Sequence, residues 1–125
     1  MIDKDFGEVI FNDGFDTKIN VTIFSKTQKV LVTALAYEES DGISKEQKKS
    51  FLTFNNKKIE YISKIESILV DEFGNKANDR FNISSIFIDR DGELALLFDD
   101  QQNEDEGIAV QIIPEILICE QSNYL

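Results

Sequence analysis

Apolar and polar residues alternate along residues 17–24, with Ile19, Val21 and Ile23 on one side and Asn20, Thr22 and Phe24 on the other. Such a period of two sets one face of a strand on a core and turns the other to water. Upstream, Phe6-Gly7-Glu8-Val9-Ile10-Phe11 reads as a strand closed by Asn12-Asp13-Gly14, residues that tolerate the positive φ of a tight turn. Downstream, Lys29 to Tyr37 is nearly continuous apolar and β-branched sequence and reads as a central strand. The three runs fit an antiparallel meander.

The period then changes. Ser44 followed by Gln47 is a capping-box pattern, in which two side chains satisfy the free amides at a helix start. A short helix is expected over 45–54, ending near Asn55-Asn56, and a second over 57–73. In the second, Ile59, Ile62, Ile65, Ile68, Leu69 and Phe73 share one helical face, while Lys57, Lys58, Glu60, Lys64, Glu66 and Asp71 face water. Gly74-Asn75 supplies the stop. That stripe reads as core packed on a sheet.

The last third returns to strands: Phe81 to Asp89, Glu93 to Phe98, Gly107 to Ile113, and a short Ile116 to Cys119. Asp91-Gly92 marks a two-residue hairpin turn, residues 99–106 a polar loop, and Pro114, the only proline, a strand end. The expected order is βββ-αα-ββββ, an α+β fold with a mainly antiparallel sheet and two central helices packed on it.

Length and composition bound this picture. The 125 residues suit a single domain spanning 1–125, and 42% hydrophobic residues, ten Phe and seventeen Ile supply a core that disordered chains lack. The formal charge of −11 argues against direct contact with nucleic acid, which requires a basic face, and against anionic membrane. No run approaches the ~18 apolar residues of a membrane helix, and Met1-Ile2-Asp3-Lys4-Asp5 lacks the apolar region of a secretory signal. A cytoplasmic location is expected. The single cysteine, Cys119, has no intrachain partner, and its apolar run Ile116-Leu117-Ile118 points to a buried structural thiol.

Charge is unevenly spread. Residues 1–80 carry twelve basic and fourteen acidic side chains, whereas 81–125 carry ten acids against Arg90, a net of −9. Asp89, Asp91, Glu93, Asp99, Asp100, Glu104, Asp105 and Glu106 crowd into eighteen residues and form the candidate partner-binding set. Strand 93–98 would separate the two groups by about 20 Å, leaving a patch either elongated or divided. An acidic face can simply keep a protein soluble. It can also meet a basic partner, where complementary charge speeds encounter.

Catalytic chemistry finds little footing. The chain has no histidine, which excludes Ser–His and Cys–His nucleophile pairs, and one cysteine cannot build a zinc cluster. No phosphate-binding glycine pattern occurs. Asp89-Arg90-Asp91-Gly92-Glu93 has the look of a calcium-loop opening, but an EF-hand needs Gly at position 6 and Glu at 12, where Leu94 and Asp100 stand. A weak carboxylate cation site in 99–106 is the residual metal reading. The expectation is no enzyme and no cofactor.

Three segments together resemble a family of small bacterial domains that includes immunity proteins of polymorphic-toxin and contact-dependent growth-inhibition systems. They are Phe6-Gly7-Glu8-Val9, then Gly92-Glu93-Leu94-Ala95-Leu96-Leu97-Phe98-Asp99 leading to Glu104-Asp105-Glu106-Gly107-Ile108-Ala109-Val110, then Glu120-Gln121-Ser122-Asn123-Tyr124-Leu125. Where the family often has a His before the Gly, Glu106 stands here, so no role of that His carries over. The resemblance implies an immunity protein that neutralises a cognate toxin by stoichiometric binding; the acidic 89–106 region points to a basic toxin surface, such as a nuclease groove, as the contact, and exposed strand edges offer β-augmentation. The alternatives are a structural or housekeeping domain unrelated to toxins, or a carboxylate metal-binding domain.

Overall fold

The period-two run extends beyond the residues that first reveal it. In the computed structural model, which describes residues 2–12 and 14–124 apart from the side chains of Glu104, Ser122 and Asn123, it occupies a ten-residue strand. In chain order the elements are β1 (Ile2–Asp3), β2 (Gly7–Glu8), β3 (Ile10–Phe11), β4 (Gly14–Ile23), β5 (Lys26–Leu35), α1 (Lys45–Asn56), α2 (Lys58–Phe73), α3 (Ala77–Arg80), β6 (Phe81–Ile88), β7 (Leu94–Asp100), β8 (Asn103–Ile113) and β9 (Leu117–Glu120). Strands β3 to β9 form a seven-stranded sheet in sequential order, and β1 and β2 form a separate two-stranded ribbon. Every neighbouring pair is antiparallel except β5 and β6, which run parallel because the three helices carry the chain back between them. The fold is α+β with a mainly antiparallel sheet.

Alternation decides which side chains meet the helices. Val21, Ile23, Val30, Val32, Ile86, Ile88, Leu96, Phe98 and Val110 join Phe51, Phe54, Ile62, Ile65 and Leu69 in one buried cluster. The opposite face carries Leu31, Thr33, Phe87 and Gln111, partly covered by the terminal 3₁₀ turn Gln121–Tyr124, whose Tyr124 ring packs edge-on against Phe87 at 5.8 Å. Phe6, expected to open a strand, instead stacks on Phe51 of α1 at 4.2 Å, and the run 6–11 is divided between the ribbon and the sheet edge. Gly7, at φ +77, starts β2 directly after the turn that follows β1.

Several boundaries differ from expectation for identifiable reasons. Phe24 is not on a strand face: with Ser25 it forms a two-residue turn, both at positive φ (51 and 63), between Ile23 and Lys26. Glu66, expected in water, accepts the Phe24 amide and ties this tip to α2, and Lys58 donates to the Asn20 carbonyl. Ile59 sits about 60° round the helix from Ile62 in the first turn and is 83% exposed, so the buried stripe is Ile62, Ile65 and Leu69. The central strand ends at Leu35, with Tyr37 80% exposed. Residues 99–106 are not a loop: β7 runs through Asp100, Gln101 and Gln102 turn the chain, and β8 resumes at Asn103. Cys119 is half-buried on the outermost strand rather than sealed in the core. The turn residue Asp13 and the terminal Leu125 lie outside the described residues.

Candidate functional site: acidic residues at the two ends of the sheet

The hairpin between β6 and β7 is not the two-residue turn expected at Asp91-Gly92 but a five-residue loop, Asp89 to Glu93, because Ile88 pairs with Leu94. One Asp89 carboxylate oxygen accepts the amides of Asp91 (2.9 Å) and Glu93 (3.0 Å), the self-contained turn that Asp favours. Gly92 has φ +93, and a Cβ there would lie 2.8 Å from the Glu46 carbonyl oxygen. Only glycine meets both demands, and the Ser50 hydroxyl uses the close approach to donate to the Gly92 carbonyl.

Arg90, the one cation of residues 81–125, points inward. Its guanidinium donates to the carbonyls of Gly42 (2.6 Å) and Leu35 (3.2 Å), while the Ser44 hydroxyl donates to the Arg90 carbonyl (2.8 Å). Gln47, fully buried, caps α1 through Ser44 and also donates to the carbonyls of Leu35 (2.9 Å) and Ile88 (3.1 Å), the ends of the two parallel strands. This network draws segment 38–47 against the turn. Glu38, Glu39 and Asp41, all exposed, thereby share the end of the sheet with Asp89, Asp91 and Glu93. Glu46, Asp91 and Glu93 also line a cavity of about 580 Å³ beside α1.

The remaining acids lie at the opposite end, so the sequence-defined set is divided. Asp99 and Asp105 are exposed, Glu106 is half-buried, and the side chain of Glu104 lies outside the described residues. Asp100 differs in kind: it is 5% exposed and takes a two-pronged hydrogen bond from Arg80 at 2.8 and 2.9 Å. The Arg80 guanidinium sits 4.9 Å from the ring centres of both Phe73 and Phe81. That guanidinium, against the opposing effect of burial and with help from the Gln102 amide, holds the Asp100 carboxyl below the usual carboxylate range. Asp100 fastens the sheet end; it does not present charge.

Glu93 faces a second duty. Tyr124 donates its hydroxyl to Glu93 at 2.8 Å, and burial, reinforced by that carboxylate, pushes the phenol well above its ordinary value. Among the described residues, no three acidic or cysteine side chains converge as a metal-binding group. The acids of segment 38–46 were legible as charges, but nothing local in the chain marks them as neighbours of Asp89 and Asp91; the parallel pairing of β5 and β6 does that. No family model matches the chain, and comparison with curated proteins and with solved structures gives no match. No helix is long and apolar enough to cross a membrane.

Proposed function

We propose that the protein is a cytoplasmic immunity protein that neutralises a bacterial toxin by stoichiometric binding, with the acidic end formed by Glu38, Glu39, Asp41, Asp89, Asp91 and Glu93 meeting a basic toxin surface such as a nuclease groove. The observation that supports it is the inward turn of Arg90, which leaves carboxylates from two distant segments on one outer surface. Exposed Tyr37 beside them fits an aromatic anchor within a charged rim. Asp99 and Asp105 at the other end contribute to the long-range field that steers a cationic partner.

The test is co-expression with the product of the adjacent gene. Growth rescue and a 1:1 complex are expected, with an association rate that falls steeply as salt rises. The triple change Glu39→Lys, Asp41→Lys, Asp91→Lys should slow association at low salt by roughly tenfold or more. No rescue and no complex would remove the immunity reading. Rescue with unchanged association in the triple variant would move the contact elsewhere on the surface.

A further inference from the structure

Register sets one row of side chains across five strands. Thr33 stands beside Phe87, Phe87 beside Ala95, Ala95 beside Gln111 and Gln111 beside Leu117, on the face away from the helices. The alternation carries past the ends of β6 and β7. Asp89 lies two residues after Phe87, Glu93 two before Ala95, and the Asp89 amide donates to the Glu93 carbonyl at 3.0 Å. Their side chains therefore emerge opposite each other on this outer face, a pairing of like charges that is unfavourable unless a cation joins it.

A recess of about 610 Å³ opens there between Phe87, Asp89, Glu93, Gln111, Leu117 and Tyr124, and none of its described lining residues is a cation. Its acceptors outnumber its donors. Gln111, 6% exposed, directs Nε2 to the Glu115 carbonyl at 2.9 Å, which leaves Oε1 toward the Tyr124 hydroxyl at 3.3 Å. That hydroxyl has one proton, and Glu93 Oε1 takes it at 2.8 Å. Gln111 Oε1 is thus a buried acceptor with no donor of its own. Among the described residues, Glu93 Oε2 and Asp89 Oδ2 accept no hydrogen bond either, because the loop amides go to Asp89 Oδ1. The walls are apolar: Phe87 on one side and Leu117, 49% exposed, on the other.

The complement of such a recess carries positive charge, several N–H donors and a surface that packs on apolar and aromatic groups. A guanidinium combines them: a planar fork of N–H donors that stacks on rings, borne on a methylene stem. We propose that the recess receives an arginine side chain of the protein partner, its guanidinium bonded to Asp89, Glu93 and Gln111 and its stem against Phe87 and Leu117. A second copy of this chain does not supply it, because Arg80 and Arg90, the two arginines of the sequence, are both engaged within the fold. The proposal rests on the reading of the acidic end as a toxin contact and names the side chain that anchors it.

The probe is N-acetyl-arginine-N-methylamide, titrated into the full chain and followed by backbone and side-chain amide resonances. Saturable shifts are expected at the Gln111 side-chain amide and at the backbone amides of Phe87, Asp89 and Glu93. The equally blocked citrulline, a neutral isostere, and the equally blocked lysine should each bind about tenfold more weakly. Asp89→Asn and Glu93→Gln keep the acceptors of the loop amides and of Tyr124 but remove charge. Each should weaken the probe about tenfold with the unfolding midpoint preserved, whereas Glu60→Gln on α2 should leave binding unchanged. Absence of shifts at millimolar probe overturns the proposal, as does binding that survives both substitutions or that citrulline or lysine matches. Unblocked arginine binding about tenfold more tightly than the probe also overturns it and assigns the recess to the free amino acid. A 1:1 toxin complex without probe binding removes the recess alone, and probe binding without any toxin complex removes the immunity reading alone.

Discussion

Removing the Arg80 guanidinium would leave the Asp100 carboxylate buried, with the Gln102 amide as its remaining donor. Breaking a buried pair from one side commonly costs about 3 kcal/mol, and Arg80→Ala is expected to lose about that much, measured by urea unfolding at pH 7. The pH dependence has a fixed sign. Because the folded Asp100 carboxyl lies below its unfolded value, its stabilisation is complete above about pH 4 and is lost as pH falls through the lower folded value. Asp100→Asn should therefore lower stability at neutral pH and flatten its decline below about pH 4. Asp3 works in the same direction: burial opposes ionisation, but the Phe6 and Asp5 amides and Lys48 outweigh it. In the sequence Asp100 stands between polar Asp99 and Gln101 and reads as a surface charge; that this one strand position turns inward depends on where β7 ends.

Helix α1 illustrates what was and was not legible at the level of an element. Its start followed from Ser44 and Gln47 alone, since a capping box is a local device. The second role of Gln47, bridging the ends of β5 and β6, depends on which strands become neighbours across fifty residues. Gln47→Leu keeps the volume and the Ser44 hydroxyl's bond to the backbone amide of residue 47, but removes the acceptor of the Ser44 amide and leaves a Leu35 carbonyl to Arg90 alone and an Ile88 carbonyl with no side-chain donor. A loss of about 2–3 kcal/mol is expected by denaturant unfolding, against less than about 1 kcal/mol for an exposed α1 position such as Asn55→Ala. The alternation of β4 and the apolar runs of β5 and β6 are equally visible in the sequence, whereas the charge of 99–106 suggests a loop where two strands meet. Strand ends that project to solvent accept carboxylates freely, and the two-residue turn carries neither Gly nor Pro to announce it.

At the scale of the molecule, charge that is segregated along the sequence is regrouped by topology. Net −9 after residue 80 becomes two separate ends, and one of them recruits Glu38, Glu39 and Asp41 from the other half of the chain. The crossover that causes this regrouping also divides the polypeptide kinetically. Strands β3 to β5 and β6 to β9 are each built from hairpins between close sequence neighbours, which form early and pay little loop entropy. The two halves join along β5 and β6 through four paired positions, Leu31–Ser85 to Ala34–Ile88, against ten between β4 and β5. That seam closes a loop of more than fifty residues, so it should form last and part first. Native-state hydrogen exchange is expected to resolve two cooperatively opening units that meet there, and a single unit would show that the helices bind the halves too tightly to separate. A partner gripping Asp41 and Asp91 together would span both units and slow their parting, so that capture of a toxin would also lengthen the lifetime of the folded protein.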